Sequence, residues 1–290
     1  MRIAELYGHN KAVISFEFFP PKTDKGYTSL LRTIEELKRI GPSFVSVTMG
    51  AGGSTRDKTV EIVKQIENEL GITAMCHLPC ASLGRAEIAG LLDDLERAGI
   101  ENVLALGGDP PLDAADSEPA EDDFRYANEL VEFIRSGPWS FAIGGGCYPE
   151  VHPRATSAAE DLANLVRKVR AGTDFLITQL FFDNRDYYAF VARARAAGIE
   201  VPIVPGIMPV VSASNIKRMA TLANARIPQE LERELDQVAD DNAAVAAIGT
   251  RWASEQCRDL IDNGAPGIHF YTLNRSPATR EIHRRLFGDG

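Results

Sequence analysis

Residues 14–21 read Ile-Ser-Phe-Glu-Phe-Phe-Pro-Pro. The run is short, apolar and aromatic, and the Pro-Pro pair ends it, so it predicts a buried strand. Glu17 stands in its middle. An ionised carboxylate without a partner is costly to bury, so Glu17 needs a partner, a retained proton or a task. A carboxylate paired with a buried Arg or Lys is the plain alternative to an active-site acid.

Outward from this stretch the chain alternates β-branched or aromatic runs with longer amphipathic ones. Candidate strands are Val13–Phe19, Phe44–Met49, Thr73–Leu78, Asn102–Leu106, Phe141–Gly145, Phe175–Phe181, Ile203–Ile207 and Gly267–Tyr271. Helical patterns fall near 26–40, 56–70, 84–98, 123–135, 157–171, 184–197 and 213–225, with two more near 228–238 and 243–263. Eight such units predict an α/β fold, a single-domain (β/α)8 TIM barrel over residues 1–290. A doubly wound open sheet uses the same units in another order. Eight strands with a helix after most of them favour the barrel.

The 290 residues are 44% hydrophobic and 25% charged, ample for one large core. A net charge of −10 argues against nucleic acid or an anionic membrane as partner. The first ten residues hold no apolar signal core, and no apolar run is long enough to span a bilayer. Four cysteines in this length are no disulfide framework. The expectation is a soluble, cytoplasmic protein with small-molecule partners, with a homo-oligomer left open. Residues 112–123, rich in Asp, Glu, Ala and Pro, are expected to form an exposed acidic loop after strand four.

A barrel places its chemistry at the carboxyl ends of the strands. Glu17, Thr48, His77, Asp109, the Tyr148–His152 loop, Gln179 and Tyr271 to Arg275 all fall there. In Gly107-Gly108-Asp109-Pro110-Pro111 the glycines would let a ring lie against backbone and the prolines would stiffen the exit. An ordinary Gly-Asp-Pro turn is the competing reading. The helix opening at Ser157, with Glu160 three residues on, carries a capping-box pattern. Its core face is Leu162, Leu165, Val166 and Val169. Asp161, Asn164 and Lys168 cluster within about 60° on the edge of that face, while Arg167 points further out. Such a stripe is a solvated margin or a grip on a nucleotide's ribityl and phosphate part.

The Cys76-His77-Leu78-Pro79-Cys80 stretch suggests zinc, but adjacent strand residues face opposite ways, so no metal site is expected. Gly50-Ala51-Gly52-Gly53 lacks the last glycine of a dinucleotide fingerprint. A nicotinamide donor would have to bind without a Rossmann domain.

Six stretches together resemble methylenetetrahydrofolate reductases. They are Ile14–Pro21 (ISFEFFPP), Leu104–Pro111, Tyr148–Pro153 (YPEVHP), Ile177–Asp183 (ITQLFFD), Val204–Pro209 (VPGIMP) and His269–Arg275 (HFYTLNR). The resemblance implies a TIM barrel that binds FAD and reduces 5,10-methylenetetrahydrofolate to 5-methyltetrahydrofolate with NADH or NADPH in a ping-pong cycle. It implies that Glu17 is the general acid that protonates N10 as the imidazolidine ring opens. That role requires a carboxyl still holding its proton when substrate binds, which aromatic surroundings would favour. The resemblance makes Asp109 an aspartate beside the flavin and pterin rings. Gln179, Asn215, Met219 and Arg275 become substrate contacts. Thr48, His77, Gly108, Ala127, Tyr148, His152, Asp161, Asn164, Arg167 and Lys168 become flavin contacts, with Asp109 counted among them.

The chain also departs from the family pattern. Gly107 stands where an arginine is usual, which bears on FAD affinity. Pro79 replaces a threonine, Met49 an aromatic, Asn215 a glutamine, and Met219 an apolar or aromatic residue. Two other readings therefore stand beside the flavoenzyme. One is a flavin-weak or flavin-free reductase with direct hydride transfer. The other is a folate-binding subunit of a larger one-carbon complex.

Overall fold

A computed structural model describes residues 1–288 except 10, 51–54, 82 and 109–122. Asp109, and the expected acidic loop up to residue 122, lie outside the described residues, as do Ala51, Gly52 and Gly53.

The described strands are β1 (Val13–Phe18), β2 (Phe44–Val47), β3 (Ala74–Pro79), β4 (Asn102–Leu106), β5 (Ala142–Cys147), β6 (Phe175–Thr178), β7 (Ile203–Val204), β8 (Gly206–Ile207) and β9 (Gly267–Tyr271). All pair in parallel, in the order β7-β6-β5-β4-β3-β2-β1-β9-β8. The two ends of that order are one stave of chain, interrupted at Pro205. Its first half pairs with β6 and its second with β9, so the ring closes on eight staves. Proline has no N–H for the ladder, which is why the predicted strand Ile203–Ile207 splits in two. The Pro205 carbonyl still accepts from His269 N at 3.0 Å.

The helices are α1 (Asp24–Lys38), α2 (Arg56–Asn68), α3 (Arg85–Arg97), α4 (Ala127–Ser136), α5 (Ala158–Arg170), α6 (Asn184–Ala196), α7 (Ala213–Ala223), α8 (Gln229–Asp236), α9 (Asn242–Asp262) and α10 (Pro277–Phe287). α4 starts four residues later than its pattern suggested, with Asp123 instead bridging to Gly84. α10 and a 3-10 helix at Ile3–Leu6 had not been predicted. Ser157 caps α5 by accepting from Glu160 N at 3.2 Å. The Glu160 carboxylate, however, takes the N–H of Thr156 at 2.8 Å instead of completing the box at Ser157.

Alternation along the strands divides the core in two. Ile14, Phe16 and Phe18 of β1, with Val45, Val47, Cys76 and Leu78, pack outward under the helices. Val13, Phe44, Met75, Leu104, Phe175, Ile177 and Val204 fill the lumen, closed from below by Ile3. A buried phenylalanine contributes about 1.5–3 kcal/mol, so Phe16 and Phe18 hold β1 firmly against the helical layer. The residues that alternate with Ile14, Phe16 and Phe18 must then face the lumen.

Candidate active site

Ser15 and Glu17 are those lumen residues. β9 lies beside β1 with Ser15 opposite His269 and Glu17 opposite Tyr271. On the other side Glu17 pairs in register with Ser46 of β2, and β3 supplies His77. Glu17 Oε2 lies 3.4 Å from His77 Nε2 and 3.6 Å from His269 Nε2. Both imidazole Nε2 atoms, and Ser46 Oγ, are buried without a hydrogen-bond partner. Buried polar atoms left this way are costly in a merely structural setting and mark where a ligand or proton is handled. The main chain of Glu17 is fixed by Thr272 Oγ1, which donates to its carbonyl at 2.6 Å.

The sequence predicted an aromatic environment for Glu17. Its flanking phenylalanines face the helices instead, and the carboxyl meets two imidazoles. Burial is the main force pulling His77 down to about 4; the Glu17 charge opposes it and His269 reinforces it. His77 is therefore neutral at pH 7. Ser15 Oγ sits 2.8 Å from His269 Nδ1, and because a hydroxyl can donate or accept, the serine can pair with either tautomer of His269. Across the mouth, Tyr271 donates its hydroxyl to the Thr178 carbonyl at 2.6 Å. Burial, and then the charge of Glu17, hold that phenol well above its ordinary range. The approach depends on Gly206, where a Cβ would lie 2.4 Å from the Thr178 carbonyl oxygen and 2.6 Å from the Tyr271 ring.

The expected flavin contacts group on the β2–β5 side of the mouth. Thr48 follows β2 and its N–H donates to the Phe18 carbonyl at 2.8 Å. Ala127 is the first residue of α4. Tyr148 and His152 stack edge-to-face with centroids 4.4 Å apart. Asp161 accepts from His152 N at 3.0 Å, and Lys168 donates to the Gly146 carbonyl. Burial lowers the Lys168 pKa. The predicted stripe on α5 is thus divided. Asp161 and Lys168 turn to the mouth, whereas exposed Asn164 accepts from Arg167 at 2.6 Å. Arg167 lines an open groove of about 560 Å³ on the outer wall with Arg135 and Arg170.

Gly108 has φ 78°, and a Cβ there would lie 2.8 Å from Pro79 Cβ, so the position requires glycine. A Cβ at Gly107 would meet nothing within 4 Å. The result is a shelf of backbone free of side chains at Gly107, on the same carboxyl face of the barrel as the Tyr148–His152 ring pair, the unpartnered His77 Nε2 and the Lys168 ammonium. This set fits a planar flavin ring with a phosphate tail.

Of the expected substrate contacts, Gln179 borders the mouth next to Tyr148, with its Oε1 taking the N–H of Leu180 at 2.8 Å. Asn215 lies half-buried in the first turn of α7. Met219 packs, partly buried, against the hydrophobic cluster that contains Leu180, Phe182 and Met208. Arg275 is exposed and lines a cavity of about 580 Å³ between α9 and α10, on the outer flank of the mouth. Cys76 and His77 face opposite sides as their spacing required, one under the helices and one in the lumen. The sequence pattern did not single out His269 or Ser15. The usable signal was the two-residue spacing of Ser15 with Glu17 and of His269 with Tyr271, combined with closure of the first strand on the last.

No helix among the described residues is long and apolar enough to cross a membrane. In overall shape the chain resembles an uncharacterized protein from Clostridium thermocellum that binds two copies of 5-methyl-5,6,7,8-tetrahydrofolic acid. The TM-score is 0.61 at 15% identity, over 95% of this chain and 94% of that one, a likeness of fold alone. In sequence it is 39% identical over 284 residues to the 5,10-methylenetetrahydrofolate reductase of Escherichia coli, covering 98% of this chain and 93% of that protein. It is also 39% identical to methylenetetrahydrofolate reductase (NADH) 1 of Arabidopsis thaliana, over 94% of this chain but 48% of that protein. The chain thus spans about half the length of its plant relative and nearly all of its bacterial one. The family model for methylenetetrahydrofolate reductase matches residues 2–287. The chain belongs to the methylenetetrahydrofolate reductase family.

Proposed function

We propose that the chain reduces 5,10-methylenetetrahydrofolate to 5-methyltetrahydrofolate, with Glu17 as the general acid. The observation that carries this is the Glu17 carboxyl at the top of the lumen, set between two buried imidazole Nε2 atoms. A neutral imidazole presents either a lone pair or an N–H at Nε2, depending on its tautomer. With Ser15 Oγ accepting from His269 Nδ1–H, the Nε2 lone pair faces Glu17 and holds the carboxyl's proton. With the serine hydroxyl donating to Nδ1, the Nε2–H faces Glu17 and stabilises the carboxylate left after the proton has gone to substrate N10. The Ser15–His269 pair thus suits both states of the acid. Contacts of 3.4 and 3.6 Å tighten to hydrogen bonds with a small shift, as catalytic groups do when substrate binds.

Thr48, His77, Gly108, Ala127, Tyr148, His152, Asp161 and Lys168 would hold FAD on the shelf beside Glu17, with Asp109 placed there by the family resemblance. Bound there, FAD would supply the hydride, drawn from a nicotinamide in a ping-pong cycle. NADH is the favoured donor because the Arabidopsis relative bears it in its name. Gln179 would border the pterin, and Asn215, Met219 and Arg275 the remainder of the folate. Four free, buried cysteines suit a reducing cytoplasm.

The test is anaerobic titration of the FAD-loaded protein with NADH, then with methylenetetrahydrofolate. Flavin bleaching by the first and recovery by the second is expected. Absence of both would overturn the reading. The open space at Gly107 favours a second reading, hydride transfer directly from the nicotinamide. Full activity after rigorous flavin removal would establish it.

A further inference from the structure

The flavin shelf needs positive charge for a diphosphate, and of the two cations the sequence nominated only Lys168 turns to the mouth, where a carbonyl already holds it. Lys168 is turned inward onto the Gly146 carbonyl, and Arg167 lies in the outer groove beside Arg135 and Arg170. At position 107, where the family pattern has an arginine, this chain has glycine with open space around it. Arg154, in the loop after β5, donates from its guanidinium to the Gly108 carbonyl at 2.8 Å. Its own N–H donates to His152 Nδ1 at 3.0 Å, which fixes the start of that side chain beside the Tyr148–His152 ring pair.

From this placement we infer that Arg154 is a cofactor-binding residue, carrying from the β5 loop the guanidinium that the β4 loop lacks, and that it holds the anionic diphosphate of the flavin nucleotide. The inference rests on the flavin reading above. A guanidinium reaching across to Gly108 bridges the two loops that border the shelf. Its planar array of donors suits phosphate oxygens, and its charge is permanent. Position 154 and position 107 therefore act as alternative sources of one charge. A side chain serving only to latch the two loops would affect stability without regard to the ligand's phosphates.

The test is equilibrium binding of FAD, FMN and riboflavin, followed by flavin fluorescence, to the full chain and to Arg154→Ala, Arg154→Lys and the double variant Gly107→Arg/Arg154→Ala. Thermal melting of each without flavin checks the fold. Arg154→Ala is expected to weaken FAD about tenfold to a hundredfold, in line with loss of a charge-assisted hydrogen bond, and to leave riboflavin unchanged. Arg154→Lys should lose less, and Gly107→Arg in the Ala background should restore much of the affinity. FAD affinity unchanged in a folded Arg154→Ala protein would overturn the inference while leaving the flavin reading intact. Equal losses for FAD and riboflavin would also overturn it, since the phosphates would then be irrelevant. A wild-type protein that binds no flavin would overturn both together.

Discussion

At the scale of single residues, Glu17 and His77 do different work from one another although they stand 3.4 Å apart. Glu17→Gln keeps the size of the side chain and removes its acidity. Folate reduction should fall by about 10² or more while reduction of bound flavin by NADH persists, measured by stopped-flow on the two half-reactions. Equal loss in both would show that Glu17 positions the cofactor instead. His77 makes a prediction about stability. Its folded pKa of about 4 lies below its unfolded value of 6.5. Between those values the unfolded chain binds the extra proton, so stability is fully present above pH 6.5 and is lost as pH falls toward 4. The contribution is on the order of 3 kcal/mol. Urea unfolding at pH 7 and pH 5 should show this slope, and His77→Gln should reduce it. An unchanged slope in the variant would assign the pH dependence to other groups.

At the scale of elements, the stave formed by β7 and β8 is the weakest part of the ring. It contributes two residues of ladder on each side of a proline. What secures it is polar and close-packed. Gly206 N donates to Thr178 Oγ1 at 2.9 Å, and Tyr271 closes over it onto the Thr178 carbonyl. Gly206→Ala must push backbone apart there, since its methyl would lie 2.4 Å from that carbonyl oxygen. The expected cost is about 1–3 kcal/mol in urea melts, with displacement of Tyr271 and a loss of activity. A variant of wild-type stability would mean that the stave tolerates more play than its contacts suggest. Much of this closure was foreseeable from the pattern Ile203–Ile207, but its division at Pro205 and its dependence on Tyr271 were not. Those arise from contacts with residues remote in the chain.

At the scale of the whole molecule, the two ends of the barrel are assigned to different tasks. The lower end is plugged by Ile3, whose N–H donates to Asn102 Oδ1 at 2.7 Å, while Asn102 Nδ2 donates to the carbonyls of Met1 and Ala74. The upper end carries Glu17 and its two histidines. Ile3→Ala should therefore destabilise the protein by about 2–5 kcal/mol, the usual cost of hollowing a buried site. Its kcat should be unaffected at temperatures where it stays folded. A large fall in kcat at full occupancy of the folded state would show that the two ends are coupled.

The sequence by itself determined the order of the strands and of the helices up to α9, and the strand ends at which polar residues gather. Backbone geometry repeats every two residues in a strand and every 3.6 in a helix, so these features are local. Glu17 was legible for the same reason, as a carboxylate in an apolar run. Only the tertiary structure decided what Glu17 meets. His269 is 252 residues away and arrives beside it through closure of the first strand on the last, in a register no local pattern encodes. The same holds for the cations. Helical spacing placed Arg167 and Lys168 on one element, but packing turned one outward and the other onto a carbonyl. The guanidinium that reaches the Gly107–Gly108 shelf comes from Arg154, because folding sets the loops after β4 and β5 side by side.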